Sequence, residues 1–218
     1  GKVAYNLYET YGYPLELTQE LGAENGFTVD VEGFKEAERK HQEASKTAEA
    51  GKAKGGIAEQ SDAATKYHTA THLLQQALTE VLGDEVAQKG SNINSERMRF
   101  DFTFSRPMTK EEIQKVEDIV NEKISEDLPV TMRVMSLDEA KAEGARALFT
   151  NKYGESVKVY TVGRDPKTDW FSKEVCGGPH VQHTAQIGKF KIEKEQSSSA
   201  GVRRIRATIS GGLPLDSQ

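Results

Sequence analysis

Apolar and charged residues alternate strictly over residues 97–104. Met98, Phe100, Phe102 and Phe104 fall on one side, Arg97, Arg99, Asp101 and Thr103 on the other. A period of two predicts a strand with one buried face. The period then changes. Thr109 and Glu112 have the spacing of a capping box, and Ile113, Val116, Ile119, Val120 and Ile124 follow at helical intervals. Val130, Met132 and Val134 return to alternation, and Ser136 with Glu139 predicts a second capping box on a short helix. Residues 157–162, 188–192 and 202–209 read as further strands. Upstream, Ser61 can cap a helix that runs to Leu82 and stops at Gly83. Strands and helices mix without regular strand–helix alternation. The expected fold is therefore α+β, a largely antiparallel sheet packed with helices.

The first 50 residues read as a separate helical segment. Pro14 suits the first turn of a helix that ends before Gly26, and Asp30 can cap a charged helix reaching about residue 50. Gly51-Lys52-Ala53-Lys54-Gly55-Gly56 reads as a linker, so the expected divisions are 1–50, a linker at 51–60, a domain over 61–210 and a tail over 211–218.

Composition narrows the class. The chain has 218 residues, 29% charged and 36% hydrophobic, with a net charge of −5. No apolar run approaches the roughly 18–20 residues of a membrane span. One cysteine and no secretory pattern predict a reducing, cytoplasmic setting. The acidic total disfavours nonspecific nucleic-acid binding but leaves room for a local basic patch. Lys189, Lys191, Lys194, Arg203, Arg204 and Arg206 form such a cluster near the C-terminus. Residues two apart share a strand face, so Lys189 pairs with Lys191 and Arg204 with Arg206. The first residue is Gly1 rather than Met, as in a piece of a longer chain.

Two short stretches carry the chemistry. His68-Thr69-Ala70-Thr71-His72 and Cys176-Gly177-Gly178-Pro179-His180 each place two metal-ligand types four residues apart. Together they offer three imidazoles and one thiolate, the donor set of a tetrahedral zinc site. On a helix, His68 and His72 lie about 40° apart on one face, beside rather than within the stripe of Tyr67, Thr71, Leu74, Leu78 and Val81. Gly177, Gly178 and Pro179 predict a tight turn that aims Cys176 and His180 at one point. A competing chemistry is a nucleophilic Cys176 with His180 or His183 as its base. That reading leaves His68 and His72 without a role.

These motifs resemble the editing domain of alanyl-tRNA synthetases. The resemblance rests on His68-Thr69-Ala70-Thr71-His72-Leu73-Leu74 and Cys176-Gly177-Gly178-Pro179-His180-Val181. It continues through Gln88-Lys89-Gly90-Ser91, Met98-Arg99-Phe100-Asp101-Phe102 and Ser199-Ala200-Gly201-Val202-Arg203-Arg204-Ile205. Leu7-Tyr8-Glu9-Thr10-Tyr11-Gly12-Tyr13-Pro14 resembles the segment that precedes the editing region. Two features depart from the alanyl pattern. Pro179 stands where alanyl enzymes usually have Thr, and a C-x-G-P-H form occurs in the threonyl editing domain. The link to His68 is also short, as though an intervening β-rich segment were missing.

The resemblance implies a hydrolase that clears seryl and glycyl groups from tRNA(Ala). It implies one zinc held by His68, His72, Cys176 and His180, which either activates water or orients the substrate. Gln88, Thr71, Arg99 and Asp101 are the candidate catalytic residues, with Thr69 and Ser91 as further polar candidates for the seryl hydroxyl. Lys189, Lys191, Arg203, Arg204 and Arg206 are the candidate tRNA contacts. The implied partners are misacylated tRNA(Ala) and the rest of a synthetase chain, with no membrane. The alternatives are a threonyl-type editor acting on seryl-tRNA(Thr), a non-catalytic zinc-stabilised tRNA-binding module, or an unrelated metallohydrolase or thiol hydrolase.

Overall fold

The computed structural model describes residues 1–11, 15–40, 61–147 and 156–215. The expected linker at 51–60, residues 41–50 of the charged helix, Pro14 and His41 lie outside the described residues, as do 216–218 of the expected tail. The chain divides into two compact units, Gly1–Ala53 and Lys54–Gln218.

The first unit holds helices α1 (Lys2–Tyr11), α2 (Leu15–Glu24) and α3 (31–40). Asp30 caps α3 by accepting the Gly33 N–H at 2.9 Å. The rings of Tyr5 and Tyr8 meet buried Phe34 edge-on, at 5.6 and 5.7 Å between centroids.

The second unit is α+β. It opens with α4 (Asp62–Leu82), where the Ser61 side chain accepts the Ala64 N–H at 3.2 Å. Gly83 ends the helix at φ 105°, a conformation that suits glycine. Strands β1 (Gln88–Ile93) and β2 (Met98–Thr103) follow, then α5 (Lys110–Ser125), β3 (Val130–Ser136) and α6 (Leu137–Ala142). Next come β4 (Ser156–Asp165), β5 (Asp169–Val175), a 3-10 turn (Thr184–Ile187), β6 (Lys189–Ser199) and β7 (Val202–Ser210). The capping boxes at Thr109–Glu112 and Ser136–Glu139 both form.

All strand pairs are antiparallel, in two sheets ordered β1-β2-β7-β6 and β3-β4-β5. The alternation of β2 is realised as expected. Met98, Phe100 and Phe102 are buried in one core with Leu73, Leu74 and Leu78 of α4, Val116 and Val120 of α5, and Phe190 and Ile205 of β6 and β7. Each such side chain contributes roughly 1.5–3 kcal/mol by leaving water. Helix α4 touches both sheets, through β1 and β5. Every residue from Tyr67 to Gln75 is consequently buried. This corrects the placement of the histidines beside a narrow core stripe: the helix is covered on most of its circumference, and His68 and His72 are 3% and 4% exposed.

The three-stranded sheet sets up the site. One face holds Val157, Val159 and Val175 against Ala140 of α6. The other carries three cross-strand rows. The first is Val130, Val162 and Ser172, and the second is Met132, Tyr160 and Glu174. The third is Val134, Lys158 and Cys176, the Cys176 N–H donating to the Lys158 carbonyl at 3.0 Å.

Candidate metal centre

Helix α4 and the turn after β5 bring the two motifs together. One candidate ligand atom from each of His68, His72, Cys176 and His180 falls within a cluster no wider than 4.8 Å. Cys176 Sγ lies 3.4 Å from His68 Nε2. The His68 and His180 rings stack at 4.3 Å, and His72 sits 4.4 Å from His180. Four donors so close, from residues more than 100 apart in sequence, are an arrangement that can hold a metal ion.

Hydrogen bonds orient the donors. His68 Nδ1–H donates to the Pro179 carbonyl at 2.9 Å, which leaves Nε2 with its lone pair facing Cys176. The Thr69 hydroxyl donates to the Thr65 carbonyl at 3.2 Å. Its oxygen accepts the Val181 N–H and the Nδ1–H of His180, both at 3.1 Å. His180 Nε2 is then the unprotonated nitrogen, and it is buried without a hydrogen-bond partner. His72 Nδ1 is likewise buried and unpartnered, while its Nε2 faces Glu174 Oε2 at 3.6 Å. Unpartnered buried nitrogens cost free energy unless something binds them. Two of them beside a thiol fit a metal site, so the residues present suit a zinc ion chemically.

Burial dominates the electrostatics. It lowers His68 to about 4, with the Pro179 contact working weakly against it. It drives His72 and His180 well below the ordinary histidine value, helped at His72 by His68 and Arg146 and at His180 by His68 and His72. All three imidazoles are therefore neutral at pH 7, the form that binds metals. Burial also pushes the Cys176 thiol up to about 12, so without a cation it stays protonated. A nucleophilic cysteine needs the opposite shift, which disfavours the Cys–His alternative. Burial raises Glu174 to about 8, against the pull of Arg146.

The turn is closely fitted. Gly178 has φ +68°, and a Cβ there would collide with the Tyr160 hydroxyl. The Tyr160 ring in turn lies 4.3 Å from that of His180.

The other candidate residues are placed differently. Thr71 is buried on α4, its hydroxyl donating to the His68 carbonyl at 2.7 Å. Gln88 and Ser91 lie on β1, paired with Phe102 and Phe100. Arg99 and Asp101 occupy the face of β2 opposite the one that packs in the core with α4. Asp101 there accepts two bonds from Arg204, at 2.7 and 2.9 Å. Arg203 is paired with Glu195, and Lys191 with Glu117 at 3.0 Å. Lys189, Lys194 and Arg206 are exposed and have no acidic partner among the described residues. His183 is exposed and lies near Asp127, outside the cluster.

Glu174 and Tyr160 went unread in the sequence. The signal was available, since Glu174 precedes Cys176 by two residues and so shares its face on a strand. But Asp169–Val175 mixes charge and aromatics without clean alternation, and it was not recognised as a strand.

Residues 1–121 match the family described as tRNA synthetases class II (A), and residues 157–206 match the Threonyl and Alanyl tRNA synthetase second additional domain. His68 and His72 fall in the first stretch, Cys176 and His180 in the second. The class is that of class II tRNA synthetases. An alanine–tRNA ligase from Treponema denticola is 57% identical over 209 residues, covering 96% of this chain and 34% of that protein. One from Borreliella burgdorferi is 54% identical with the same coverage. The chain belongs to the alanyl-tRNA synthetase family. It spans about a third of the length of these curated relatives, 34% in both cases. Alanine–tRNA ligase 1 of Lachnoclostridium phytofermentans is 34% identical over 325 aligned positions, 98% of this chain and 36% of its own length. That alignment exceeds the 218 residues of this chain, so the relative has extra residues within the matched stretch.

Proposed function

We propose that this chain is the editing part of an alanyl-tRNA synthetase and hydrolyses seryl and glycyl esters of tRNA(Ala) at a zinc centre. The observation that carries the reading is the convergence of His68, His72, Cys176 and His180, with two buried imidazole nitrogens left without partners. When bound, zinc would supply a Lewis acid that lowers the pKa of a water or polarises the ester carbonyl. The chain's own residues do the rest. Thr69 and the Pro179 carbonyl hold two imidazoles in the donor-ready tautomer. Glu174, buried beside His72 with Oε1 unpartnered, is placed to accept a hydrogen bond from the bound amino acid.

A second site has a physical reason to exist. A pocket for alanine gains at most about 1–3 kcal/mol over glycine, and it cannot strongly reject serine, which only adds a hydroxyl. A separate hydrolytic site that hydrogen-bonds the hydroxyl can select serine. A threonyl-type reading also has one specific support, because Pro179 departs from the alanyl pattern and the matched additional domain is shared by both synthetases. Cytoplasmic tRNA is the natural substrate pool for either, and no helix among the described residues is long and apolar enough to cross a membrane.

The test is ester loss from seryl-, glycyl- and alanyl-tRNA(Ala) and from seryl-tRNA(Thr). Fast loss of seryl-tRNA(Ala) with slow loss of alanyl-tRNA(Ala) is expected. Preference for seryl-tRNA(Thr) would assign a threonyl-type editor. RNA and zinc binding without turnover on any ester would leave a binding module, and turnover that ignores tRNA would indicate an unrelated hydrolase.

A further inference from the structure

Arg99 takes no part in the donor cluster, and the fold leaves its side chain unsatisfied. Its Nε is buried without a hydrogen-bond partner. Asp101 Oδ2 lies 3.7 Å from it, beyond hydrogen-bond reach. Both oxygens of that carboxylate are taken by Arg204, at 2.7 and 2.9 Å. Register sharpens the shortage. Arg99 stands directly opposite Arg206 of β7, and Arg206 directly opposite Lys194 of β6. Asn92 of β1 completes the row on the other side of Arg99. Opposed residues share a sheet face, so three cations follow one another at strand spacings of about 4.8 Å. Like charges directly opposite each other destabilise a sheet. Burial lowers the Arg99 pKa, and Arg204, Arg97 and Arg206 push the same way against the pull of Asp101. Arg97, Arg206 and Lys194 are exposed and have no acidic partner among the described residues. Glu193, at the bulge beside Lys194, accepts the Thr208 hydroxyl at 2.9 Å. The row lies on the face of β2 turned away from α4, so it is separate from the donor cluster.

We propose that the row of Asn92, Arg99, Arg206 and Lys194 is a binding site for a phosphate group on the outer face of the four-stranded sheet. A guanidinium presents a fork of donors that matches phosphate oxygens. A phosphate has enough acceptor oxygens to meet several donors at once, whereas the Asp101 carboxylate is used up by one arginine. Arg99 and Lys194 stand two strand spacings apart, about 10 Å, a gap that two long side chains can close over one phosphate. Such a ligand supplies the partner that the buried Nε lacks and offsets the repulsion along the row. A free phosphate and a backbone phosphate of RNA share this chemistry. The site uses none of the metal donors, so it stands whether or not the chain edits.

Arginine side-chain NMR reads the site directly. Inorganic phosphate, titrated at constant ionic strength, should shift the Arg99 Nε–H signal to saturation, and chloride should not. Lys194→Gln, at an exposed position, should weaken that response about tenfold, the loss of one charge-assisted bond. Arg99→Lys keeps the charge without the fork, and it should also weaken phosphate binding followed at the Arg206 signal. A short blunt RNA duplex, with no 3′ overhang and no ester, separates the two sources. Movement of Arg99 at duplex concentrations far below those of inorganic phosphate, with a salt slope lowered by about one in Lys194→Gln, would uphold the site and assign it to RNA backbone. Movement with inorganic phosphate alone would uphold it and assign it to a free phosphate. An Arg99 signal unmoved by both, a shift that chloride reproduces, or an unchanged affinity in Lys194→Gln would each overturn the proposal.

Discussion

Thr69 on helix α4 accepts the Nδ1–H of His180, a residue 111 positions later, at 3.1 Å. The relation has a counterpart. His68 on the same helix donates its own Nδ1–H to the carbonyl of Pro179, in the turn that carries His180. The helix thus holds the tautomer of the turn's histidine, and the turn holds the tautomer of the helix's histidine. Thr69→Val should weaken zinc binding about 10- to 100-fold, the usual effect of removing such a supporting bond. Thr69→Ser keeps the hydroxyl and should retain most of the affinity. Competition against a chromophoric chelator measures both, and equal affinities in the two variants would remove Thr69 from the site's support.

Purified protein should carry about one zinc per chain. Cys176→Ala and His72→Ala should each reduce that occupancy. Metal analysis after dialysis is the check, and full retention in both variants would defeat the four-ligand assignment. Because burial pushes the Cys176 thiol up to about 12, loading should also release a proton. Apparent affinity should therefore rise with pH across the neutral range, by about tenfold per unit for each proton released.

The metal-free chain should be most stable close to pH 6.5, the ordinary histidine value. Burial lowers His68 to about 4, so as pH falls from 6.5 the unfolded chain takes up a proton that the folded chain refuses. Stability is lost across that window, and His72 and His180 act in the same direction. Glu174 acts oppositely. Its carboxyl keeps a proton up to about 8 in the fold but loses it near 4.5 when unfolded, so stability falls as pH rises through that range. Denaturant melts of metal-free Glu174→Gln should show a smaller decline between pH 6.5 and 8 than wild type, and identical slopes would contradict the assignment.

Much of this was legible in advance, for identifiable reasons. The Ser61 cap, the Thr109 and Ser136 capping boxes and the β2 alternation are local signals, and each formed where its spacing placed it. The four donors were legible because their residue types are few and their spacing repeats. The burial of His68 and His72 was not, since it depends on β5 covering α4, a contact between distant segments. Strand β1 was missed because Gln88–Ile93 is polar and bulged at Gln88 and Gly90. The pairing of Arg203 with Glu195 and of Arg204 with Asp101 follows from sheet register, which one strand's sequence does not encode.

Those pairings sharpen the RNA expectation. Lys189 and Arg206 have no acidic partner among the described residues, so replacing both with Ala should lower the salt dependence of tRNA binding. Each lost phosphate contact should reduce the slope by about one. Arg204→Ala should instead destabilise the fold, because it strips Asp101 of its two bonds. A melt and a salt titration on each variant separate the two effects, and unchanged slopes for Lys189→Ala with Arg206→Ala would place the RNA elsewhere.

Gly178→Ala should destabilise the chain by roughly 1–3 kcal/mol through its left-handed backbone alone. Contact with the Tyr160 hydroxyl adds to that. Tyr160→Phe in the same chain should recover the contact part and not the backbone part. A double-mutant cycle in denaturant reads the difference, and strict additivity would show that the two residues do not press on each other.

Cys176 and His68 meet across 108 positions of chain. An ion gripped from both sides would close that long loop much as a covalent cross-link does. Cross-linking a loop of about 100 residues removes unfolded-state entropy worth roughly 4.7 kcal/mol in the chain-entropy account. Chelation should then do more than empty the site: it should lower the stability of the whole second unit, so that the metal-free chain still folds but melts at lower denaturant in one transition.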